Sequence, residues 1–346
     1  METSILFGIL ITGVSGLIMG VSPGPLKFLK QFKYEQFGFI SMLVALLLIP
    51  WAITFILCPD IFTIISEIDK GILLKANLFS LCWGIAQILA MLCFIRLGVS
   101  LTYGILCAIG ASVGVITPMI FKASGIFSEA PSLVSQAGLT ILFGVAVMII
   151  GVYFSALAGL KREKLTREQG IEKKTGSVAI GLIMVVLAGF LSTGWGFAFT
   201  YSQDSIFEVM ASHGVPDFTA KIALWAIVLF GAALINILYP AYLLTKNKSW
   251  HIIPKNSKDI FLSAVYGLLF FTPSVLLGKG MLLLGALGAS VGWGINQGLV
   301  IIGGQILGFT TGEWKGVRGK PRKYIYIAIT ILIVSMMIIA TGNMLS

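Results

Sequence analysis

Charge is what this sequence has least of. Only 11% of its 346 residues are Asp, Glu, Lys or Arg, against 57% hydrophobic, whereas a soluble domain carries roughly 25% charged residues. At a mean hydropathy of +0.98 the chain has too little polar surface to coat a soluble globule. Histidine occurs only as His213 and His251, both in polar stretches. The four cysteines, Cys58, Cys82, Cys93 and Cys107, lie in or beside apolar runs without CxxC spacing, so neither a disulfide framework nor a zinc site is expected. HExxH is missing and no two carboxylates pair inside an apolar run, which leaves enzymatic chemistry within the membrane without residues to perform it. The run Gly316–Pro321 (GVRGKP) lacks GxxxxGK[ST] spacing and has proline after its lysine, which argues against a phosphate loop. No metal ion and no cofactor is expected.

Long apolar runs are what the chain does have. Ten can be read, at about 4–21, 37–58, 77–95, 98–121, 138–158, 178–199, 220–244, 260–277, 281–309 and 324–342. Runs of this size cross the roughly 30 Å hydrocarbon layer as helices. They are continuously apolar rather than alternating, which favours helices over a transmembrane barrel. The first run follows Glu2 rather than a cationic stretch, so it is expected to be a span and not a cleaved signal. The expected fold class is an all-α membrane protein of ten transmembrane helices.

The net charge of +10 could suggest nucleic acid, so the placement of the positive residues has to decide. Nineteen of the 24 Lys and Arg residues fall in odd-numbered loops; the even-numbered loops hold Lys70, Lys75, Lys122, Lys221 and Lys279. Such a bias is the positive-inside signature rather than a phosphate-binding face. Odd loops are therefore assigned to the cytoplasm and both termini to the outside of a multi-pass inner-membrane protein. The joint after the first run, SPGPLKFLKQFKYE (Ser22–Glu35), becomes an inner-surface turn. Its prolines end the helix, Lys27, Lys30 and Lys33 meet anionic lipid heads, and Phe28, Phe32 and Tyr34 suit the interface.

The longest polar connection, KREKLTREQGIEKKTG, divides the chain into a first five-helix repeat (1–160), a cytoplasmic linker (161–176) and a second five-helix repeat (177–346). An odd number of spans per half inverts the second half, giving a 5+5 inverted repeat of the kind that transporters build around a midplane site. Gly16-Leu17-Ile18-Met19 recurs as Gly181-Leu182-Ile183-Met184, and AIGASVG at 108–114 as ALGASVG at 286–292. The GASVG runs also contain GxxxG, which serves close helix packing in any membrane protein.

A further pair bears on chemistry. WGIAQ at 83–87 and WGINQ at 293–297 each put an indole and an amide four residues apart, on one helix face. A pyranose needs an aromatic surface for its C–H face and neutral donors and acceptors for its hydroxyls. Packing and hydrogen bonding between helices would use the same residues. The substrate-binding candidates are Trp83, Gln87, Tyr103, Trp195, Asn236, Trp293, Asn296 and Gln297; Trp195 lies between Gly194 and Gly196, which clear space around its ring.

Several stretches resemble the bacterial rhamnose/proton symporter family, within the drug/metabolite transporter superfamily. They are Pro25-Leu26-Lys27 with Lys30 and Phe32-x-Tyr34-Glu35, IPWAI at 49–53, WGIAQ at 83–87, RLGVS at 96–100, and Glu313-Trp314 before a basic run. The likeness covers nearly the whole chain and is poorer through Ser290–Gly298. It implies import of a small neutral sugar, rhamnose or a relative, by proton symport with alternating access. Its partners would be the sugar, protons and the lipid bilayer, with no nucleic acid. The alternatives are an exporter of amino acids or lipophilic metabolites, as in other superfamily branches, and an uncoupled sugar facilitator. The resemblance also implies a proton carrier, yet no carboxylate lies deep in any run; Glu35, Asp204 and Glu313 are at the edges. Glu313 lies at the end of the run that carries Trp293, Asn296 and Gln297 and is the proton-coupling candidate.

Overall fold

The computed structural model describes residues 2–120, 131–168, 177–284 and 293–345, and among them no strand occurs. In chain order the helices are α1 (Glu2–Val21), α2 (Tyr34–Met42), α3 (Ile49–Leu57), α4 (Ile61–Glu67), α5 (Lys70–Arg96), α6 (Val99–Ile120), α7 (Gln136–Glu168), α8 (Val178–Ser192), α9 (Gly194–Ser212), α10 (Asp217–Val228), α11 (Phe230–Lys246), α12 (Ser257–Leu284), α13 (Trp293–Thr310) and α14 (Lys320–Met344). A π-helical stretch, Leu43–Leu48, joins α2 to α3. Seven helical runs are long and apolar enough to cross a membrane, or eight if the bent pair α10–α11 is one span. A hydrocarbon layer leaves backbone groups no partner but their own helix, which is why continuous apolar runs fold this way.

Some expected boundaries move. Helix α7 continues to Glu168, so the first half of the anticipated linker is helical; residues 169–176 lie outside the described set. Residues 281–284 finish α12 instead of opening the ninth run, and the second GASVG copy at 286–292 also lies outside the described residues. The sixth run is broken at Thr193 and remains helical to Ser212.

The chain forms two compact units, each drawing on both halves of the sequence. Unit 1 comprises Met1–Val21, Leu89–Phe190 and Leu276–Ser346. Its core gathers Leu97, Leu101, Ile105, Ala158, Val185, Trp314 and Ile325. Glycines set its closest contacts. A Cβ on Gly20 would lie 2.8 Å from the Gly303 Cα, and one on Gly16 would strike the Asn296 carbonyl, so α1 and α13 meet backbone to backbone. In α7, Gly144 and Gly151 share a face and receive Ile339 and Leu332 of α14.

Unit 2 comprises Ser22–Ile88 and Leu191–Val275. Helices α10 and α11 meet at a 46° bend, and the bend has an identifiable cause in Asn77 of α5. Its amide donates to the Ile227 carbonyl at 3.3 Å and accepts from the Gly231 N–H at 2.7 Å, serving backbone groups that the broken ladder leaves without helical partners. The Ser22–Glu35 joint is tied down by Asp259, in the first turn of α12. This carboxylate is 2% exposed and accepts the N–H groups of Lys30 (3.2 Å), Gln31 (2.7 Å) and Phe32 (3.0 Å).

Candidate functional site

In unit 2, α9 at Gly194, next to Trp195, and α11 through Asn236 both pack against α5 at Trp83–Gly84, with Gln87 half-buried one turn beyond Trp83. The approach depends on the two glycines beside Trp195. A Cβ on Gly194 would strike the Phe79 carbonyl and lie 3.1 Å from the Trp83 nitrogen, so α9 begins directly against α5. A Cβ on Gly196 would meet nothing within 4 Å. One glycine admits a helix and the other leaves open space.

Trp195 stacks on Trp225 of α10 with ring centroids 4.5 Å apart and planes 8° from parallel. Phe199 lies on Trp225 at 4.9 Å and 25°. Trp225 is buried and Trp195 is half-buried, so the stack presents Trp195 on a rigid aromatic base. Trp83 is buried, with its ring 6.1 Å from that of Phe270. Asn236 of α11 donates to the carbonyls of Gly84 (3.0 Å) and Ala232 (2.9 Å). Its Oδ1 is buried with no hydrogen-bond partner among the described residues. A buried acceptor left unmatched suits a neutral hydroxylated ligand or a bridging water.

The other candidates belong to unit 1. Tyr103 of α6 donates to the Met19 carbonyl at 2.9 Å, and its ring lies 5.1 Å from that of Phe94. Asn296 is buried and donates to Ser15 Oγ at 3.0 Å and to the Thr12 carbonyl at 3.4 Å, so its donor group serves the α1–α13 contact. Gln297 is half-buried beside it; Trp293 opens α13, with its side chain outside the described set. The similar pentapeptides at 83–87 and 293–297 thus stand in different units with different partners.

Glu313, just past α13, caps α6. Its carboxylate accepts the N–H of Val99 at 2.7 Å and of Ser100 at 3.3 Å, using donors that a helix start leaves unpaired. Gly98 makes room: it has φ +85°, and a Cβ there would lie 2.7 Å from the Glu313 Cδ. Across from it Arg162, at the end of one apolar run of α7, donates to the Leu97 carbonyl at 2.5 Å, lies 5.0 Å over the Trp314 ring, and interacts electrostatically with Glu313. Trp314 donates to Ser100 Oγ at 3.2 Å, while Gln305 of α13 donates to the Ser100 carbonyl at 2.9 Å and also bonds its hydroxyl. Carboxylate, guanidinium, indole, hydroxyl and amide form one polar network on α6, α7 and α13.

Trp225, Arg162, Ser100, Gln305, Asn77 and Asp259 were not singled out from the sequence. Gln305 carried the signal that drew attention to Gln297, a neutral amide within an apolar run. Asp259 carried none, because a carboxylate near a helix start is ordinary. Among the described residues no group of His, Cys, Asp and Glu is placed to hold a metal ion.

Over residues 1–345 the chain matches the family described as L-rhamnose-proton symport protein (RhaT). It is 28% identical over 326 residues to the L-rhamnose-proton symporter of Citrobacter koseri, covering 92% of each chain. To those of Salmonella enteritidis and Klebsiella pneumoniae it is 27% identical over the same length and coverage. No solved structure matches it. A match from end to end, on a chain built of membrane-crossing helices, means that the chain belongs to the L-rhamnose-proton symport family, a family of transporters and not of enzymes.

Proposed function

We propose that this protein imports rhamnose or a closely related neutral sugar together with a proton, by alternating access. The substrate class follows the names of its relatives. The observation that carries the reading in this chain is the Trp195–Trp225 stack beside the open space at Gly196. A sugar is proposed to lie on Trp195 by its C–H face, with Asn236 Oδ1, Trp83 and Gln87 as the candidate polar contacts in the same unit. Tyr103, Trp293, Asn296 and Gln297 of unit 1 are proposed separately as further substrate-binding candidates. Alternating access requires a ligand to bind the exchanging states differently, and a stacked ring with few, directional hydrogen bonds provides such a difference.

The proposed architecture is ten spans in a 5+5 inverted repeat, 1–160 and 177–346 around a cytoplasmic linker, with both termini outside. Eight spans, counting α10–α11 as one, together with the shorter apolar helices Val99–Gly114 and Ile295–Thr310, agree with this count. Glu313 is the proposed proton-coupling group. A proton there would weaken its charge-assisted hold on Val99 and Ser100 and on the neighbouring Arg162, and so loosen α6 from the end of α13.

The test is uptake of labelled rhamnose by reconstituted vesicles, with and without an imposed pH gradient. Adding rhamnose to lightly buffered, de-energised cells should make the medium transiently alkaline. Sugar entry without a pH change identifies a facilitator. Competition by amphipathic amines and not by sugars identifies an exporter-type site.

A further inference from the structure

One buried serine breaks a habit that others in this chain keep. Ser112, Ser202 and Ser263 each return their hydroxyl to the carbonyl four residues earlier in the helix, at 2.9, 2.6 and 2.7 Å. Ser155, within the apolar run of α7, is 1% exposed, yet its Oγ has no hydrogen-bond partner among the described residues. The face of α7 that carries it is turned to α6 and the turn before it. Met148, two turns earlier, takes the Ser112 hydroxyl at 3.0 Å, and Arg162, two turns later, donates to the Leu97 carbonyl at 2.5 Å.

At the level of Ser155, α6 has a glycine. A Cβ on Gly104 would lie 3.5 Å from Ser155 Oγ, 3.7 Å from Gln305 Nε2 and 3.9 Å from Leu332 Cδ1, ordinary contacts that a methyl group would make without strain. Helices α7, α13 and α14 therefore border room for one heavy atom beside α6, and two of the three bordering atoms are polar. Gln305 is 4% exposed. One of its N–H groups serves the Ser100 carbonyl and its Oε1 takes the Ser100 hydroxyl, while the second N–H has no partner among the described residues. The serine hydroxyl and this amide are not bonded to each other. An oxygen between them that accepts from the amide and bonds the hydroxyl satisfies both, and a buried water needs two to four such partners. Leaving both groups unmet in an apolar surrounding costs more than immobilising one water.

We propose that Gly104, Ser155 and Gln305 form a binding site for one buried water, and that Ser155, through this water, is a positioning residue for Gln305. The water fixes which way the amide faces: nitrogen toward the Ser100 carbonyl and the water, oxygen toward the Ser100 hydroxyl. That hydroxyl in turn receives the Trp314 N–H at 3.2 Å, and Glu313 accepts the Ser100 N–H. The site itself is independent of which solute the protein carries. Its bearing on transport rests on the reading of Glu313 as the proton-coupling group.

The experiment is X-ray radiolytic footprinting of purified full-length protein in nanodiscs, in which radicals formed from a bound water oxidise the side chains beside it. Leu332 borders the site; Ile141, set against Gly342, is equally buried and serves as the reference. Leu332 should be oxidised several-fold faster than Ile141, and Gly104→Ala should remove the excess by putting a methyl group where the water binds. Thermal unfolding discriminates further. Alanine is the better helix former and its methyl group fits, so with nothing bound Gly104→Ala should raise the melting temperature. Ser155→Ala, which would then delete only an unmatched hydroxyl, should leave it unchanged or raise it. With water bound both variants should melt lower, and the double variant no lower than the worse single one, since each removes the same water. Both variants should also displace the external pH at which proton-driven rhamnose accumulation is half-maximal, which loss of packing alone would not do. Equal oxidation of Leu332 and Ile141, or raised melting temperatures in both variants, would overturn the site. An unmoved pH profile in folded Ser155→Ala would overturn the positioning role. Wild-type accumulation by Glu313→Gln would instead overturn the proton reading, with footprinting and melting still deciding the site. Footprinting of the wild type decides it even where a variant does not fold.

Discussion

Asp259 in unit 2 and Glu313 in unit 1 do the same local chemistry in different company. Each carboxylate accepts N–H groups from a turn more than two hundred residues earlier in the chain. Asp259 is buried and satisfied by three consecutive backbone donors. Glu313 is half-buried, takes two backbone donors, and stands among side chains that have other options: Arg162, Ser100, Gln305 and Trp314. A carboxylate held by backbone alone is a fixed joint, since its donors cannot leave without unfolding the turn. One held partly through rotatable charged and polar groups sits where adding a proton can rearrange partners. The two units also differ in how they use neutral amides. Asn296 docks α1 on α13, whereas the Asn236 Oδ1 is buried with no hydrogen-bond partner among the described residues.

The largest effect that would break this comparison is expected from Asp259→Ala. Leaving three N–H groups without their acceptor should cost about 3 kcal/mol or more, read as a lower melting temperature in detergent and poor accumulation of folded protein. Wild-type melting would show that the joint needs no clamp. Trp195→Ala should weaken rhamnose binding roughly ten- to a hundredfold, equivalent to about 1–3 kcal/mol, without loss of folded protein. Titration calorimetry checks this, and unchanged affinity would return the Trp195–Trp225 stack to packing duty. Glu313→Gln keeps an acceptor oxygen for Val99 and Ser100, so the protein should fold and exchange labelled for unlabelled sugar at near wild-type rate. Accumulation driven by a pH gradient should be lost. Persistent accumulation would make Glu313 a joint like Asp259. The smallest expected effect is from Lys164→Cys in a background without the native cysteines: transport unchanged, and no labelling by an impermeant maleimide on intact cells. Ready labelling would reverse the orientation on which the placement of both carboxylates rests.

Much of this was legible before any coordinates. Membrane insertion reads hydropathy and charge residue by residue along the chain, so the apolar runs and the basic loops announced a polytopic helical protein, and local motifs such as IPWAI and RLGVS announced its family. The tight packing of Gly13, Gly16 and Gly20 against α13 uses small residues at helical spacing, which the sequence contains but which were not singled out in it. The breaks were not legible: nothing in the run from Asp217 to Lys246 marks Leu229, because the group that stabilises that bend is Asn77, 150 residues earlier. Asp259 likewise gave no sign of its clamp, and Trp83 and Trp293 read as counterparts in a pair of similar pentapeptides. Hydropathy is a sum over neighbours in sequence, and the chain alone sufficed to evaluate it. Whether a carboxylate is a clamp or part of a network, and whether an indole stacks on another ring or packs on a helix, depends on atoms brought within about 3–4 Å by distant segments. Only the packed structure contains those distances.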